Sequence, residues 1–265
     1  MRCGARLPDF LLVGAPKCGT SALHAALSRH PGLYLSTPKE PKFFLTDGPP
    51  PDSGGGPGDV PTWREHVWRR DAYEALFAAA PPGARCGEST VFYLYDRAAQ
   101  RRIRALLPEV RLVAVLRDPA ERAHSNWAHL RGAGLEAEAD FAAALDREPE
   151  RIAAGWAHFW HYAAQGRYGE QLDHLFGLFP RDQVLLIRYR DLRDSPVETA
   201  DRVCRFLGVE AGLITGVPRH HVRPDVSGRT SGATVAERAV ALPGFVDDVP
   251  RVAELTGWDL AGWLR

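Results

Sequence analysis

Short apolar runs that end in glycine, proline or charge alternate along this chain with segments of helical spacing. The first run is FLLVG (Phe10 to Gly14), and the segment from Thr20 to about His30 then carries Leu23 and Leu27 one turn apart. Runs this short and this uniformly apolar are typical of strands buried on both faces of a parallel sheet. The alternation therefore predicts an α/β fold with a mostly parallel central sheet that helices cover on both faces.

The same pattern continues through the rest of the chain. Further strands are expected at 32–36, 111–118 and 184–189, and further helices at 62–80, from 119 onward, at 140–145, 168–179 and 196–207. Pro119 and Pro196 suit the first turn of a helix, and Asp118 and Ser195 can cap those helices. The length suits one large α/β domain, so we expect residues 1–265 to form a single domain.

Charge and cysteine usage exclude several classes of protein. The chain has 33 Lys and Arg against 33 Asp and Glu, which gives no bulk attraction for nucleic acid, so any anion site must be local. Its four cysteines, at positions 3, 18, 86 and 204, are widely spaced. This spacing favours free thiols in a cytoplasmic protein over a disulfide scaffold.

Neither a metal nor a membrane segment is expected. No histidine lies in an HExxH pattern and no cysteine pair has ligand spacing, so we predict no metal site. The apolar run before Gly14 reaches Lys17 almost at once, which makes it too short for a signal-peptide core or a membrane span. Residues 48–61 are almost entirely Pro, Gly, Asp and Ser, and we predict a flexible loop that is either a lid or a plain insertion.

The sequence GAPKCGTSAL (14–23) lies between the first strand and the first helix. A turn at this place directs backbone N–H groups and the positive end of a helix dipole toward one point, so it can bind an anion. Thr20 and Ser21 add hydroxyl donors, and Lys17 adds a charge. A Walker A loop would need Lys where Thr20 stands, but a magnesium-dependent nucleotide kinase stays open as an alternative.

A second anion site is predicted in RDPAERAHSNW (117–127). Arg117 ends a predicted strand and Ser125 lies about two turns into the next helix, so both can reach one phosphate. In open α/β sheets, ligands bind at the carboxyl ends of the strands, where both motifs stand.

Together these motifs resemble those of sulfotransferases that use 3′-phosphoadenosine 5′-phosphosulfate (PAPS), in particular the branch with heparan-type and bacterial small-molecule enzymes. The resemblance covers most of the chain. It implies a P-loop-like loop that binds the 5′-phosphosulfate and consists of Pro16, Lys17, Cys18, Gly19, Thr20 and Ser21. It also implies that Arg117 and Ser125 bind the 3′-phosphate, although Asp118 and Trp127 stand where Asn and Tyr are common.

The resemblance places the acceptor beside TPKEPKFF (37–44) and GESTVFYLY (87–95). It implies that Glu88 takes the proton from the attacking hydroxyl and that Lys39 assists, a role that suits a carboxylate because an alcohol is a weak nucleophile. Ser89 stands where glycosaminoglycan enzymes often have Lys, which weakens the case for a polyanionic acceptor.

Further roles follow from looser matches. Residues 217–234 would form a loop over the nucleotide or acceptor, in which Ser227, Gly228 and Arg229 contact the nucleotide, and Tyr189 would lie near it. The candidate acceptor-binding residues are Phe44, Tyr93, Trp160, His161, Arg167 and Tyr168.

The sequence thus predicts a metal-free, in-line transfer of a sulfuryl group from PAPS to a hydroxyl, in preference to an amine, with adenosine 3′,5′-bisphosphate as product. The acceptor would be a small molecule, lipid or carbohydrate, in the manner of bacterial secondary metabolism. A non-catalytic nucleotide-binding protein is the other alternative. The sequence carries no signal for an oligomeric state.

Overall fold

Five parallel strands form the central sheet of the part of the chain that is described. The computed structural model describes residues 6–218 and 233–265, and its strands are β1 (Phe10–Gly14), β2 (Leu33–Leu35), β3 (Arg85–Glu88), β4 (Arg111–Leu116) and β5 (Val184–Arg188). Their order in the sheet is β2-β3-β1-β4-β5, and every pairing is parallel. The predicted α/β fold class is therefore confirmed.

The middle strand β1 and its neighbour β4 are deeply buried. All five residues of β1 are buried, as are the residues of β4 from Leu112 to Leu116. A central strand of a parallel sheet has no solvent-facing side, which is why these two segments are apolar throughout.

Asp118 caps the helix that begins at Pro119, as predicted, whereas Ser195 makes no side-chain cap for the helix that begins at Pro196. The helices are α1 (Thr20–Leu27), α2 (Asp59–Arg64), α3 (Arg70–Ala75), α4 (Arg97–Leu106), α5 (Pro119–Gly132), α6 (Phe141–Asp146), α7 (Glu148–Ala153), α8 (Tyr168–Leu178), α9 (Tyr189–Asp194), α10 (Pro196–Leu207), α11 (Val235–Ala241) and α12 (Asp248–Thr256). Within the described residues, none of them has the length and apolar character needed to cross a membrane.

One predicted helix is wrong. Instead of a continuous helix over 62–80, the chain forms α2 and α3 with an irregular stretch between them. In that stretch the amide of Val67 donates to the carbonyl of Pro41 at 2.8 Å, and Glu65 pairs with Lys42 at 2.6 Å. These tertiary contacts outweigh the helical spacing of the side chains.

Two compact units can be distinguished. The first comprises 6–50, 65–116 and 174–218 and contains the whole sheet, whereas the second comprises 51–64, 117–173 and 233–265 and is built from helices. Their organisation as a single domain stays a prediction.

The strand order of the sheet reverses between β1 and β4. β1 and β4 are neighbours, yet the chain leaves β1 toward β2 on one side and leaves β4 toward β5 on the other. The carboxyl ends of such a strand pair are where ligands bind in open α/β sheets. They lead directly into the loop after Gly14 and into Arg117.

Within the second unit, a buried carboxylate fixes the end of the Pro- and Gly-rich segment. Asp59, the first residue of α2, is fully buried. Its Oδ2 accepts hydrogen bonds from the amides of Gly56 (2.6 Å) and Ala157 (2.9 Å), and its Oδ1 accepts one from the indole of Trp160 (2.9 Å). The predicted loop over 48–61 therefore stops before Asp59, and the role of its remaining residues stays a prediction.

Candidate active site

The loop after β1 has the geometry of an anion-binding turn. Ala15 N–H donates to the carbonyl of Val115 in β4 at 2.8 Å, which fixes the start of the loop on the sheet. Gly19 is the N-cap of α1 and provides no side-chain cap for the first helical amides. Amides at an uncapped helix N-terminus carry positive partial charge and are suited to bind a phosphate or sulfate.

Gly19 is required by its conformation and by its neighbours. Its φ is +79°, and a Cβ at this position would lie 3.1 Å from Leu192 Cδ2 and 3.2 Å from Tyr189 Cε2. Tyr189, the first residue of α9, thus packs against the loop in which the nucleotide site was predicted.

The other loop residues are held in the same turn. Pro16, Cys18 and Thr20 are buried, and Cys18 Sγ lies 3.5 Å from the carbonyl of Pro16. Lys17 is partly exposed and adopts a φ of 66°, which is uncommon for a residue other than glycine. Such conformations are concentrated at ligand sites, so the backbone at Lys17 supports a binding role.

Lys39 lies beside this loop. Its Nζ donates to Ser21 Oγ at 3.2 Å and to Glu40 Oε1 at 2.7 Å. The carbonyl of Lys39 accepts a hydrogen bond from the amide of Ser89 at 3.1 Å. The segment 37–44, the loop and the residue after Glu88 are therefore brought together within the first unit. The catalytic roles of Lys39 and Glu88 stay predictions.

Glu88 is the last residue of β3, and its side chain is fully buried. Tyr73 Oη donates to Glu88 Oε1 at 3.3 Å, while Oε2 has no hydrogen-bonding partner among the described residues. Burial raises the pKa of this carboxyl to about 8, and the nearby hydroxyls of Tyr93, Thr90 and Tyr73 oppose that rise. A carboxyl with such a pKa has a high proton affinity, which suits a general base once it is deprotonated.

Aromatic rings surround the carboxyl. Phe43 stacks on Tyr73 with ring centres 4.1 Å apart, and Phe44 meets both Tyr73 and Tyr93 edge-on. The Tyr93 hydroxyl accepts a hydrogen bond from the amide of Phe44 at 3.2 Å. Sequence reasoning assigned Tyr73 only to the period of a helix, and nothing in the local pattern connects it with Glu88.

A histidine that contacts Ser89, the residue after Glu88, was also missed. His24 Nδ1 in α1 lies 2.8 Å from Ser89 Oγ. Burial, and then the charge of Lys39, lower the pKa of His24 to about 4, so the imidazole is neutral at physiological pH. The pair adds polar contacts beside Glu88 without adding charge.

The second unit holds the other predicted anion site. Arg117 Nη2 pairs with Glu121 Oε2 at 2.9 Å. Asp118 caps α5 through Oδ1, which accepts the amides of Ala120 (3.0 Å) and Glu121 (3.1 Å). Ser125 lies on the same helix and is partly exposed.

The chain is similar to known sulfotransferases in sequence and in fold. A family model described as a sulfotransferase domain matches residues 98–223. The crystal structure of a sulfotransferase from Alicyclobacillus acidocaldarius has a TM-score of 0.85 and 33% identity, over 98% of this chain and 100% of that chain. The human heparan sulfate glucosamine 3-O-sulfotransferase 6 is 30% identical over 77% of this chain and 53% of its own length.

The chain belongs to the sulfotransferase family. The family membership that the sequence motifs indicated is thus confirmed, and the nucleotide-kinase alternative loses its support. A human bifunctional heparan sulfate N-deacetylase/N-sulfotransferase 2 is 27% identical over 77% of this chain. The chain spans 22% of that relative's length.

In this sulfotransferase-family chain, the candidate acceptor residues of the second unit have structural partners. Trp160 is bonded to Asp59, His161 Nε2 lies 3.1 Å from the carbonyl of Trp156, and Arg167 Nε donates to Glu170 at 2.8 Å. Tyr168 is fully buried. Burial is the main cause that lowers the pKa of His161, to about 4. Contact of these four residues with an acceptor stays a prediction.

Some predicted positions lie outside the described residues. They are Ser227, Gly228 and Arg229, together with most of the predicted covering loop over 217–234. Among residues 6–218 and 233–265, no three or more His, Cys, Asp and Glu side chains are grouped to hold a metal ion.

Proposed function

We propose that this chain transfers a sulfuryl group from PAPS to a hydroxyl of a small-molecule, lipid or carbohydrate acceptor. One observation carries the proposal beyond family membership. Lys39 hydrogen bonds to Ser21 of the anion-binding loop through its side chain and to Ser89, next to Glu88, through its carbonyl. These contacts support a site in which a cation and the strand end that carries the candidate base adjoin one anion-binding loop, as a group transfer to a hydroxyl requires.

The loop residues fit the phosphosulfate of the donor. The uncapped amides of α1 and the hydroxyls of Thr20 and Ser21 would bind its oxygens, and Lys17 would neutralise them. Arg117 and Ser125 would hold the 3′-phosphate. When bound, PAPS supplies an activated sulfuryl group with adenosine 3′,5′-bisphosphate as the leaving group.

The protein residues then have separate tasks. Lys17 and Lys39 stabilise negative charge that develops as the donor bond breaks, and Glu88 accepts the proton of the attacking hydroxyl. Because a sulfuryl group carries less charge than a phosphoryl group, the proposal assigns this stabilisation to fixed cations and amides, without a metal.

The acceptor class stays broad. The relatives' names include both a heparan sulfate N-sulfotransferase and a 3-O-sulfotransferase, so a carbohydrate belongs to the proposed acceptors and both a hydroxyl and an amine are acceptor groups among the relatives. The proposal keeps a hydroxyl as the first choice. The proposed setting is bacterial secondary metabolism in the cytoplasm.

Two measurements test this function. Calorimetric titrations should show tighter binding of adenosine 3′,5′-bisphosphate than of ATP with magnesium. Incubation with labelled PAPS and a metabolite extract, followed by mass spectrometry, should then reveal a sulfated product. Preference for ATP would contradict the PAPS assignment, and tight bisphosphate binding without transfer to any acceptor would favour a non-catalytic binding protein.

A further inference from the structure

Four charged side chains of the second unit form one cluster at the start of α5. Arg238 Nη1 in α11 lies 2.8 Å from Asp118 Oδ2 and 3.8 Å from Glu121 Oε1, and Glu121 also pairs with Arg117. We call Arg117, Asp118, Glu121 and Arg238 the α5 charge cluster. Its side chains are 14–23% exposed, so solvent screens their charges only partly.

The cluster contains two carboxylates beside the arginine that is proposed to bind the 3′-phosphate. Without Arg238 they would outnumber Arg117 and give the cluster a net charge of −1, whereas Arg238 brings the net charge to zero, counting one unit for each of the four side chains. A net negative cluster would repel a phosphate. Asp118 cannot turn away without losing its cap of α5, because its Oδ1 accepts two amides of the first turn.

Arg238 is itself fixed in place. Its Nε donates to the carbonyl of Arg265 at 3.0 Å. The helix that carries it begins with a reciprocal capping box between Thr234 and Glu237, and Glu237 Oε1 lies 3.3 Å from His124 Nε2 on α5. The guanidinium is therefore held opposite Asp118 by contacts that do not depend on a bound nucleotide.

We propose that Arg238 is a positioning residue for nucleotide binding. It neutralises the charge of Asp118 and attracts Glu121, so that Arg117 can bind a 3′-phosphate. The proposal rests on the proposed function. Arg238 does not touch the phosphate in this account but acts through the two carboxylates.

The test compares two nucleotides that differ only in the 3′-phosphate. Arg238→Ala should weaken adenosine 3′,5′-bisphosphate by about fivefold to tenfold, a coupling typical of charges in one network, and 5′-AMP by less than about twofold. Arg238→Lys should restore most of the difference, since it keeps the charge. Calorimetry on the full chain measures each dissociation constant, and Arg251→Ala, which removes an arginine paired with Asp173 and Glu254 instead, is the matched control.

A double-mutant cycle separates electrostatics from folding. Asp118→Asn keeps a good N-cap but removes the charge, so in this background Arg238→Ala should cost less than about twofold. Asp118→Asn alone should tighten the bisphosphate by about threefold without changing 5′-AMP, a result that stays informative even if Arg238→Ala folds poorly.

The possible outcomes distinguish the two proposals. Equal losses for both nucleotides, or an undiminished loss in the Asp118→Asn background, would overturn the role of Arg238. No effect of Asp118→Asn on the bisphosphate would do the same. Wild-type protein that binds the bisphosphate no more tightly than 5′-AMP would instead overturn the proposed 3′-phosphate site.

Discussion

Glu88 combines full burial with a position that its proposed task requires. The carboxyl lies at the end of β3 among aromatic rings, and burial raises its pKa to about 8. A base must be deprotonated to act, so the same burial that gives the carboxylate a high proton affinity also keeps much of it protonated at neutral pH.

Glu88→Gln tests the proposed base. The substitution keeps the shape of the side chain but removes its ability to take a proton, so transfer should fall on the order of a hundredfold or more. The dissociation constant for adenosine 3′,5′-bisphosphate should change by less than about twofold, because Glu88 has no proposed contact with it. Glu109→Gln, on an exposed residue, is the control, and unchanged turnover in Glu88→Gln would remove Glu88 from this role.

The pH dependence of the rate provides a second test. With a pKa of about 8 for Glu88, kcat/KM should rise as the pH is raised through 8, since only the deprotonated form accepts a proton. Tyr73 donates to the carboxylate and lowers the pKa, so Tyr73→Phe should move this rise to higher pH. Initial rates from pH 6 to 10 measure both profiles, and an unshifted profile in Tyr73→Phe would argue against the contact.

At the scale of elements, the loop between β1 and α1 depends on one backbone conformation. Gly19→Ala should destabilise the fold by about 1–2 kcal/mol through its positive φ and should also weaken nucleotide binding, because the methyl group would push against Leu192 and Tyr189. Gly83→Ala is the matched control, with φ +81° and open space around the new methyl. Urea unfolding and calorimetry measure the two effects, and wild-type nucleotide affinity in Gly19→Ala would contradict the assigned site.

The sequence allowed the strands and helices with an apolar pattern to be predicted, but others carry no such signal. The segments that became β1, β4 and β5 are apolar runs and were found. β3 has the sequence RCGE, which contains no apolar run, and it was missed. Gly87 is needed in this strand because the ring of Phe10 fills the space beside it: a Cβ at Gly87 would lie 2.3 Å from Phe10 Cζ. α4 was missed as well, since its buried face consists only of Ala99, Gln100 and Ile103.

Some residues of the candidate sites could likewise be predicted from the sequence, and others could not. Motif residues such as Lys17, Lys39 and Glu88 could be named from the sequence, since their spacing resembles a family. Tyr73, His24 and Arg238 could not, because each contacts its partner, Glu88, Ser89 and Asp118 respectively, from a distant part of the chain. Such contacts exist only once the chain is folded.

For the whole molecule, net charge and stability both respond to pH. The formal net charge is +0 at pH 7, so bulk electrostatics neither attracts nor repels an anionic donor, and the local sites carry this task. The raised pKa of Glu88 adds a titration that acts on global folding.

Wild-type stability should fall relative to Glu88→Gln as the pH rises. Between pH 4.5, the ordinary pKa, and about 8, the folded state binds a proton that the unfolded state has released, so stability is lost across this window. The variant lacks this loss. Its free energy of unfolding minus that of wild type should therefore be larger at pH 8 than at pH 4.5, by on the order of a few kcal/mol. Urea unfolding at both pH values measures it, and a difference between the proteins that does not vary with pH would contradict the burial argument.

The carboxylate of Asp59 also divides the Pro- and Gly-rich segment into two parts with different tolerance to change. The amide of Gly56 is hydrogen-bonded to Asp59 and Gly55 packs closely against Asp59, whereas residues 51–54 are exposed. Residues added before Gly54 would extend into solvent and leave the Asp59 contacts in place. A reporter dye or affinity tag inserted there would label the protein without disturbing its fold.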